Sequence, residues 1–211
     1  VGETGDWLTI GQWQHELTFG KLNAWSHRGN GSTFASSKGQ ELTNMQQFVA
    51  PAGTRIGHVH LKVADLDRAI SFYRDYLGFE LVALYGDQAA FLSAGGYHHH
   101  IGLNTWESKG GSPPARGTTG LYHTAFNYPE RADLARAVVR LIELKYPIGG
   151  ASDHGTHEAI YLADPDGNGI ELAWDRAPEA WPRSADGTLA MTTQPLDWDG
   201  LLAEVGVTLA R

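Results

Sequence analysis

The stretch Gly57-His-Val-His-Leu-Lys-Val-Ala-Asp-Leu-Asp-Arg-Ala-Ile-Ser-Phe-Tyr-Arg-Asp-Tyr-Leu-Gly-Phe79 changes its period partway along. From Ile56 to Leu61 polar and apolar residues alternate. Val59, Leu61 and Val63 share one face while His58, His60 and Lys62 share the other, the two-residue period of a strand. Asp65 can then cap a helix, because its carboxylate can accept the N–H groups left unpaired at a helix start. Ala69, Ile70, Phe72, Tyr73, Tyr76 and Leu77 follow at helical spacing, and Gly78 stops the run. Residues 80–85, 89–93 and 97–104 read as short strands separated by Gly86-Asp87 and Gly95-Gly96. The order is β-α-β-β-β.

The pattern then returns. Residues 121–127 alternate like the first strand, and residues 133–146 carry Leu134, Val138, Leu141 and Ile142 on one helical stripe before Pro147 and Gly149-Gly150. Strand-like residues 159–162 and 169–174 follow, joined by Asp164-Pro-Asp-Gly-Asn-Gly169, which supplies Pro and Gly where a tight reversal needs them. A second β-α-β-β-β unit results, and the Gly/Ser/Pro-rich residues 105–119 link the two copies. The expected fold is α+β, with modules over residues 55–104 and 119–175 inside a domain at 51–181. Residues 1–50 form an extension without sustained period, containing three tryptophans and Met45 as a candidate internal start. Residues 182–211 form a tail, in which 196–205 reads as a closing helix capped near Asp197.

Composition narrows the function. The 211 residues are 42% hydrophobic, enough for a substantial core, and the formal charge of −8 with no Lys/Arg cluster argues against nucleic acid or an anionic membrane as partner. There is no cysteine, so disulfides, zinc-thiolate sites and thiol nucleophiles are excluded and any metal must be held by histidine and carboxylate. No apolar run approaches the roughly 20 residues of a spanning helix, and the first residues lack a leader pattern. A cytoplasmic protein with small-molecule partners is expected, with a homo-oligomer left open.

The repeat gives three residues equivalent positions. His58 and His123 lie in the first strand of each module and Glu171 in the last strand of the second. Ile170, Leu172 and Trp174 would face the helices, which turns Glu171 to the other side with the histidines. Two imidazoles and one carboxylate leave an octahedral ion with open positions, the donor set of a non-haem Fe(II) centre. His60 shares that face and reads as a lining residue.

The 57–79 stretch, together with Asp164-Pro-Asp-Gly-Asn-Gly-Ile-Glu-Leu172, resembles the vicinal oxygen chelate superfamily (glyoxalase/bleomycin resistance/extradiol dioxygenase), and is most similar to its catechol 2,3-dioxygenase type. The resemblance covers roughly residues 55–181. It implies a curved mixed-sheet cup with helices outside and one metal at its floor, with His58, His123 and Glu171 as ligands. It also implies a second-sphere histidine at His99, a tyrosine at Tyr161 and a further histidine at His154. Strand alternation across 97–104 puts His98 and His100 on the cup side, so His100 stands beside His99 as a candidate; the loop from His154 to Tyr161 is shorter than the resemblance implies, so His157 stands beside His154.

The implied activity is extradiol cleavage of a catechol- or hydroquinone-like aromatic by dioxygen on Fe(II), with Mn(II), Ni(II) and Zn(II) as alternatives. Imidazoles that titrate near neutrality suit the proton transfers, and a phenol can both donate and accept. Two other functions fit the scaffold. One is a glyoxalase- or epimerase-like lyase or isomerase, which would need Glu or Gln where the first module ends in histidines. The other is a metal-free protein that binds an aromatic or antibiotic. Phe91, Tyr97, Trp106 and Tyr122 lie near the cup strands and would make it aromatic.

Overall fold

The computed structural model describes residues 48–208. The extension expected over 1–50, its tryptophans included, lies almost wholly outside them. The described residues from 53 onward belong to one compact unit. Its first module is β1 (Val59–Lys62), α1 (Leu66–Ser71), β2 (Glu80–Tyr85), β3 (Ala89–Ser93) and β4 (Ile101–Asn104). The second is β5 (Thr124–Asn127), α2 (Arg131–Glu143), β6 (Gly150–Asp153), β7 (His157–Ala163) and β8 (Gly169–Asp175). A short helix α3 (Trp198–Ala203) follows.

Each module builds an open four-stranded mixed sheet, ordered β1-β4-β3-β2 and β5-β8-β7-β6. The first strand of each module runs parallel to its last, and the remaining pairs are antiparallel. The 57–79 stretch folds as its period dictates. Leu61 and Val63 are buried, and the Asp65 carboxylate accepts the N–H of Arg68 at 3.0 Å. The helix does not stay α-helical: Phe72–Tyr76 widen into a π turn before Gly78, with Phe72 and Tyr73 buried.

A single apolar core spans both modules, including Phe72, Leu92, Ile101 and Leu103 from the first and Leu134, Leu141, Ile160 and Leu172 from the second. Each such side chain contributes about 1.5–3 kcal/mol when fully buried. The modules also join at particular contacts. Phe72 meets Tyr146 at 5.1 Å between ring centres, and Phe79 meets Phe126 at 5.0 Å. The Tyr73 hydroxyl donates to Asp164 at 3.0 Å, and Arg68 pairs with Asp166 at 2.6 Å. Asp164 also accepts the backbone N–H groups of Asp166 and Asn168, both at 2.9 Å, so the Asp164–Gly169 turn is an anchor between modules.

The tail closes the second module. Gln194 bridges Asp153 beside β6, and Leu201 and Leu202 are fully buried in the shared core. The expected cap holds, with Asp197 accepting from the Gly200 N–H at 3.0 Å.

Several local expectations differ, the first being that His58 and His123, expected within the first strand of each module, lie just ahead of β1 and β5, the latter beginning at Thr124 rather than Leu121. The strand expected from residue 97 begins only at Ile101, because Gly95 and Gly96 take positive φ and the following histidines leave the regular ladder. Ile142 is 43% exposed, and the buried stripe of α2 is Leu134, Ala135, Val138 and Leu141. β6 forms from Gly150-Ala-Ser-Asp153, whose sequence reads as a turn and gains strand geometry from β7 on one side and Gln194 on the other.

Candidate metal centre and proton relay

On β8 the burial of Ile170 and Leu172 fixes Glu171 on the opposite face, yet its carboxylate is only 5% exposed. Its Oε2 lies 3.0 Å from Nε2 of His123, and its Oε1 lies 3.2 Å from Nε2 of His157. Among the described residues no Lys or Arg pairs with it. His123 precedes β5, beside Gly169, where any Cβ would strike the Tyr122 carbonyl and His123. Glycine there lets the start of β8 pass close under the histidine.

Tyr161 sits opposite Glu171 in the β7–β8 ladder, its ring 5.8 Å from that of His123. Burial, with help from the Glu171 and Tyr122 charges, pushes its phenol above the usual range. Its hydroxyl lies 2.7 Å from Nε2 of His154. Nδ1 of His154 lies 2.7 Å from the Thr192 carbonyl, which can only accept. His154 therefore carries its proton on Nδ1 in the neutral ring, and Nε2 accepts from Tyr161. The tail supplies this orientation, and Thr192 further donates its N–H to the His154 carbonyl at 3.0 Å.

The first sheet presents a separate histidine group. His58, just ahead of β1, meets His99 at 4.4 Å and His98 at 6.4 Å between ring centres. His99 also meets Phe91 at 5.0 Å. Burial and the neighbouring histidines, His58 foremost, lower the His99 pKa. His60 lies over Gly102, where a Cβ would come within 2.9 Å of its ring, and it contacts Phe91 and Trp106. His100 turns away to Ser93, whose hydroxyl is 3.1 Å from its Nδ1, and to Phe79. Simple alternation puts His98 and His100 on the cup side and His99 across from them; the irregular backbone before Ile101 keeps His98 near His58, brings His99 to the same group and turns His100 away. Of the aromatics, Tyr97 stacks on His98 and His100, while Tyr122 is 90% exposed with its ring 5.5 Å from His123.

The structure thus brings His123, Glu171, Tyr161 and His154 onto one sheet, and leaves His58 and His99 on the other. Among the described residues no three ligand side chains converge on a point able to hold an ion. The donor chemistry nevertheless fits a cation. Among the described residues, the two oxygens of the buried Glu171 carboxylate face imidazole nitrogens and no fixed positive charge compensates it. The sequence reading held His157 only as an alternative to His154, although it shares the β7 parity of Tyr161. It passed over Thr192, which no motif in its own segment distinguishes.

Residues 55–172, more than half of the chain, match the model of the Glyoxalase/Bleomycin resistance protein/Dioxygenase superfamily. The chain is 41% identical over 153 residues to a catechol-2,3-dioxygenase of Bacillus subtilis, covering 72% of this chain and 53% of that protein. It is 35% identical over 128 residues to biphenyl-2,3-diol 1,2-dioxygenase 3 of Rhodococcus globerulus, covering 57% and 63%. It is also 32% identical over 121 residues to the metallothiol transferase FosB of Staphylococcus epidermidis, covering 56% and 80%. The chain therefore spans about half to two thirds of the length of these two dioxygenases. A glyoxalase/dioxygenase structure from Nostoc punctiforme shares the fold, with a TM-score of 0.52 and 24% identity over 63% of this chain and 99% of that one.

Proposed function

The chain belongs to the glyoxalase/bleomycin resistance protein/dioxygenase superfamily, and from that premise we propose that it is an Fe(II)-dependent extradiol dioxygenase acting on a catechol- or hydroquinone-like aromatic. The observation that carries the reading is the buried Glu171 carboxylate beside His123, on the same sheet face as the Tyr161–His154 pair. A metal ligand set and a proton relay adjoin there.

His123 and Glu171 would hold the ion from the second module and His58 from the first. An Fe(II) ion so held would supply open positions for both phenolic oxygens and for dioxygen. The protein's own groups do the rest. His154, oriented by Thr192, holds Nε2 against the Tyr161 hydroxyl, so a phenolic hydroxyl can pass its proton to the Tyr161 oxygen as Tyr161 passes its own to Nε2, after which Tyr161 can donate a hydrogen bond to the oxygen charge left behind. His99, packed on Phe91 and His58, offers a second imidazole from the facing module. Phe91, Trp106 and Tyr122 supply aromatic surface near the histidines for a planar substrate.

The similarity to a metallothiol transferase sets the alternative class of metal-dependent transfer, lyase or isomerase chemistry. The residues before β4 favour the dioxygenase, since that segment carries His98-His99-His100 where such a lyase needs a Glu or Gln ligand.

Protein reconstituted with Fe(II) without air and then given a panel of catechols tests the reading. Oxygen uptake with a yellow ring-fission product is expected. Absence of uptake with every catechol would overturn it, as would activity with Ni(II) or Zn(II) on a thiol-derived substrate alone.

A further inference from the structure

We infer that His157 is a positioning residue that holds Oε1 of Glu171, leaving Oε2 as the oxygen presented beside His123. The inference rests on the metal-site reading above and adds a residue to it.

Register makes the contact specific. His157, Ala159 and Tyr161 share one face of β7, and in the ladder they stand opposite Asp175, Ala173 and Glu171. His157 and Glu171 are therefore not direct partners. They are diagonal across the Ala159–Ala173 pair, which is buried although it lies on the site-facing side. The two methyl groups leave a shallow floor over which both long side chains lean until Nε2 of His157 lies 3.2 Å from Oε1 of Glu171. A larger side chain at either alanine would keep them apart.

Hydrogen bonding fixes the direction. The carboxylate oxygen can only accept, so Nε2 of His157 must donate. Its Nδ1 lies 2.8 Å from the Thr156 hydroxyl, and Thr156 is buried, which lets the hydroxyl donate to Nδ1 and hold the ring with its proton on Nε2. The chain Thr156–His157–Glu171 then assigns one carboxylate oxygen to His157 and frees the other. A carboxylate with one oxygen tethered binds an ion through the remaining oxygen, and such supporting partners typically change metal affinity 10–100-fold.

Co(II) affinity, measured by competition with a chelator, tests this together with the visible d–d spectrum and the melting of metal-free protein. His157→Ala should bind Co(II) about 10–100-fold more weakly than the parent. His157→Gln, whose amide can donate to Oε1, should recover affinity to within about threefold with an unchanged spectrum. His157→Met, similar in size without a donor, should remain weak, and it replaces the alanine variant if that one does not fold. Equal affinity in the parent, the alanine and the methionine variants overturns the inference. So does a glutamine variant as weak as the methionine one with a shifted d–d band, which would make His157 a ligand. Failure of the parent to bind Co(II) or Fe(II) at all overturns instead the metal-site reading beneath it.

Discussion

The Tyr161 hydroxyl donates to Nε2 of His154 across 2.7 Å, and the other nitrogen of the same imidazole is tied to the Thr192 carbonyl at 2.7 Å. The histidine is thus aimed before any ligand arrives. Its orientation depends on a tail segment that joins β6 through Gln194, since His154 itself lies in the turn between β6 and β7.

Removing either member of this pair should separate proton transfer from metal binding. His154→Ala is expected to retain iron and lose about 10²-fold or more in kcat for ring cleavage, the usual scale of general acid–base assistance. Tyr161→Phe should lose less, since His154 keeps its Thr192 tether. Oxygen uptake at saturating catechol beside iron content measures both, and a variant that loses iron in step with rate would speak against this division.

Gly169→Ala should be far more disruptive than its size suggests. The added methyl meets the Tyr122 carbonyl and the His123 backbone, neither of which can rotate away. A cost of about 1–3 kcal/mol is expected, with weakened Co(II) binding. Gly102→Ala should act on His60 instead, leaving the affinity of the His123–Glu171 pair close to that of the parent.

The join between modules should yield to small changes. Tyr73→Phe removes the hydroxyl that donates to buried Asp164 and should cost about 1–2 kcal/mol in urea unfolding. Leu202→Ala empties a fully buried site under the closing helix and should cost about 2–5 kcal/mol. If Leu202→Ala proves neutral, α3 is not part of the core.

Acid should weaken the Asp153–Arg176 pair. Burial alone would raise the Asp153 pKa, but the Arg176 hydrogen bonds at 2.8 and 2.9 Å and the Gly155 N–H outweigh it, so the carboxyl is held below its usual value. A group depressed on folding stabilises above its unfolded pKa of about 3.9 and loses that contribution as pH falls through the folded value. The parent should therefore exceed Asp153→Asn in melting temperature from neutrality down to about pH 4, and the gap should shrink below that. Melts of both proteins between pH 7 and 3 check the sign.

Where strand and helix periods are clean, the chain states its own structure. The β1 alternation, the Asp65 cap and the parity that turns Glu171 away from Ile170 and Leu172 are all visible in the order of residues, because each depends on neighbours one to four positions away. Other features depend on distant partners. β6 is a strand because β7 and Gln194 flank it, and nothing in Gly150-Ala-Ser-Asp153 announces that. His99 and His100 exchange sides because two positive-φ glycines precede them. Thr192 matters through its backbone carbonyl and N–H, groups that almost every residue has. His157 reads only as an alternative to His154, because alternation specifies a face and not how far a side chain leans across two alanines.

The family match ends at residue 172, in the middle of β8, yet the chain that aims His154 runs on through Thr192 and is pinned by Leu201 and Leu202. A fragment trimmed to the matched segment would keep Glu171 and His123 while releasing the one carbonyl that sets the histidine's tautomer. Anyone shortening this protein for transplantation or fusion should therefore cut beyond α3, since the limits of the family match and the limits of the hydrogen bonds that hold His154 do not coincide.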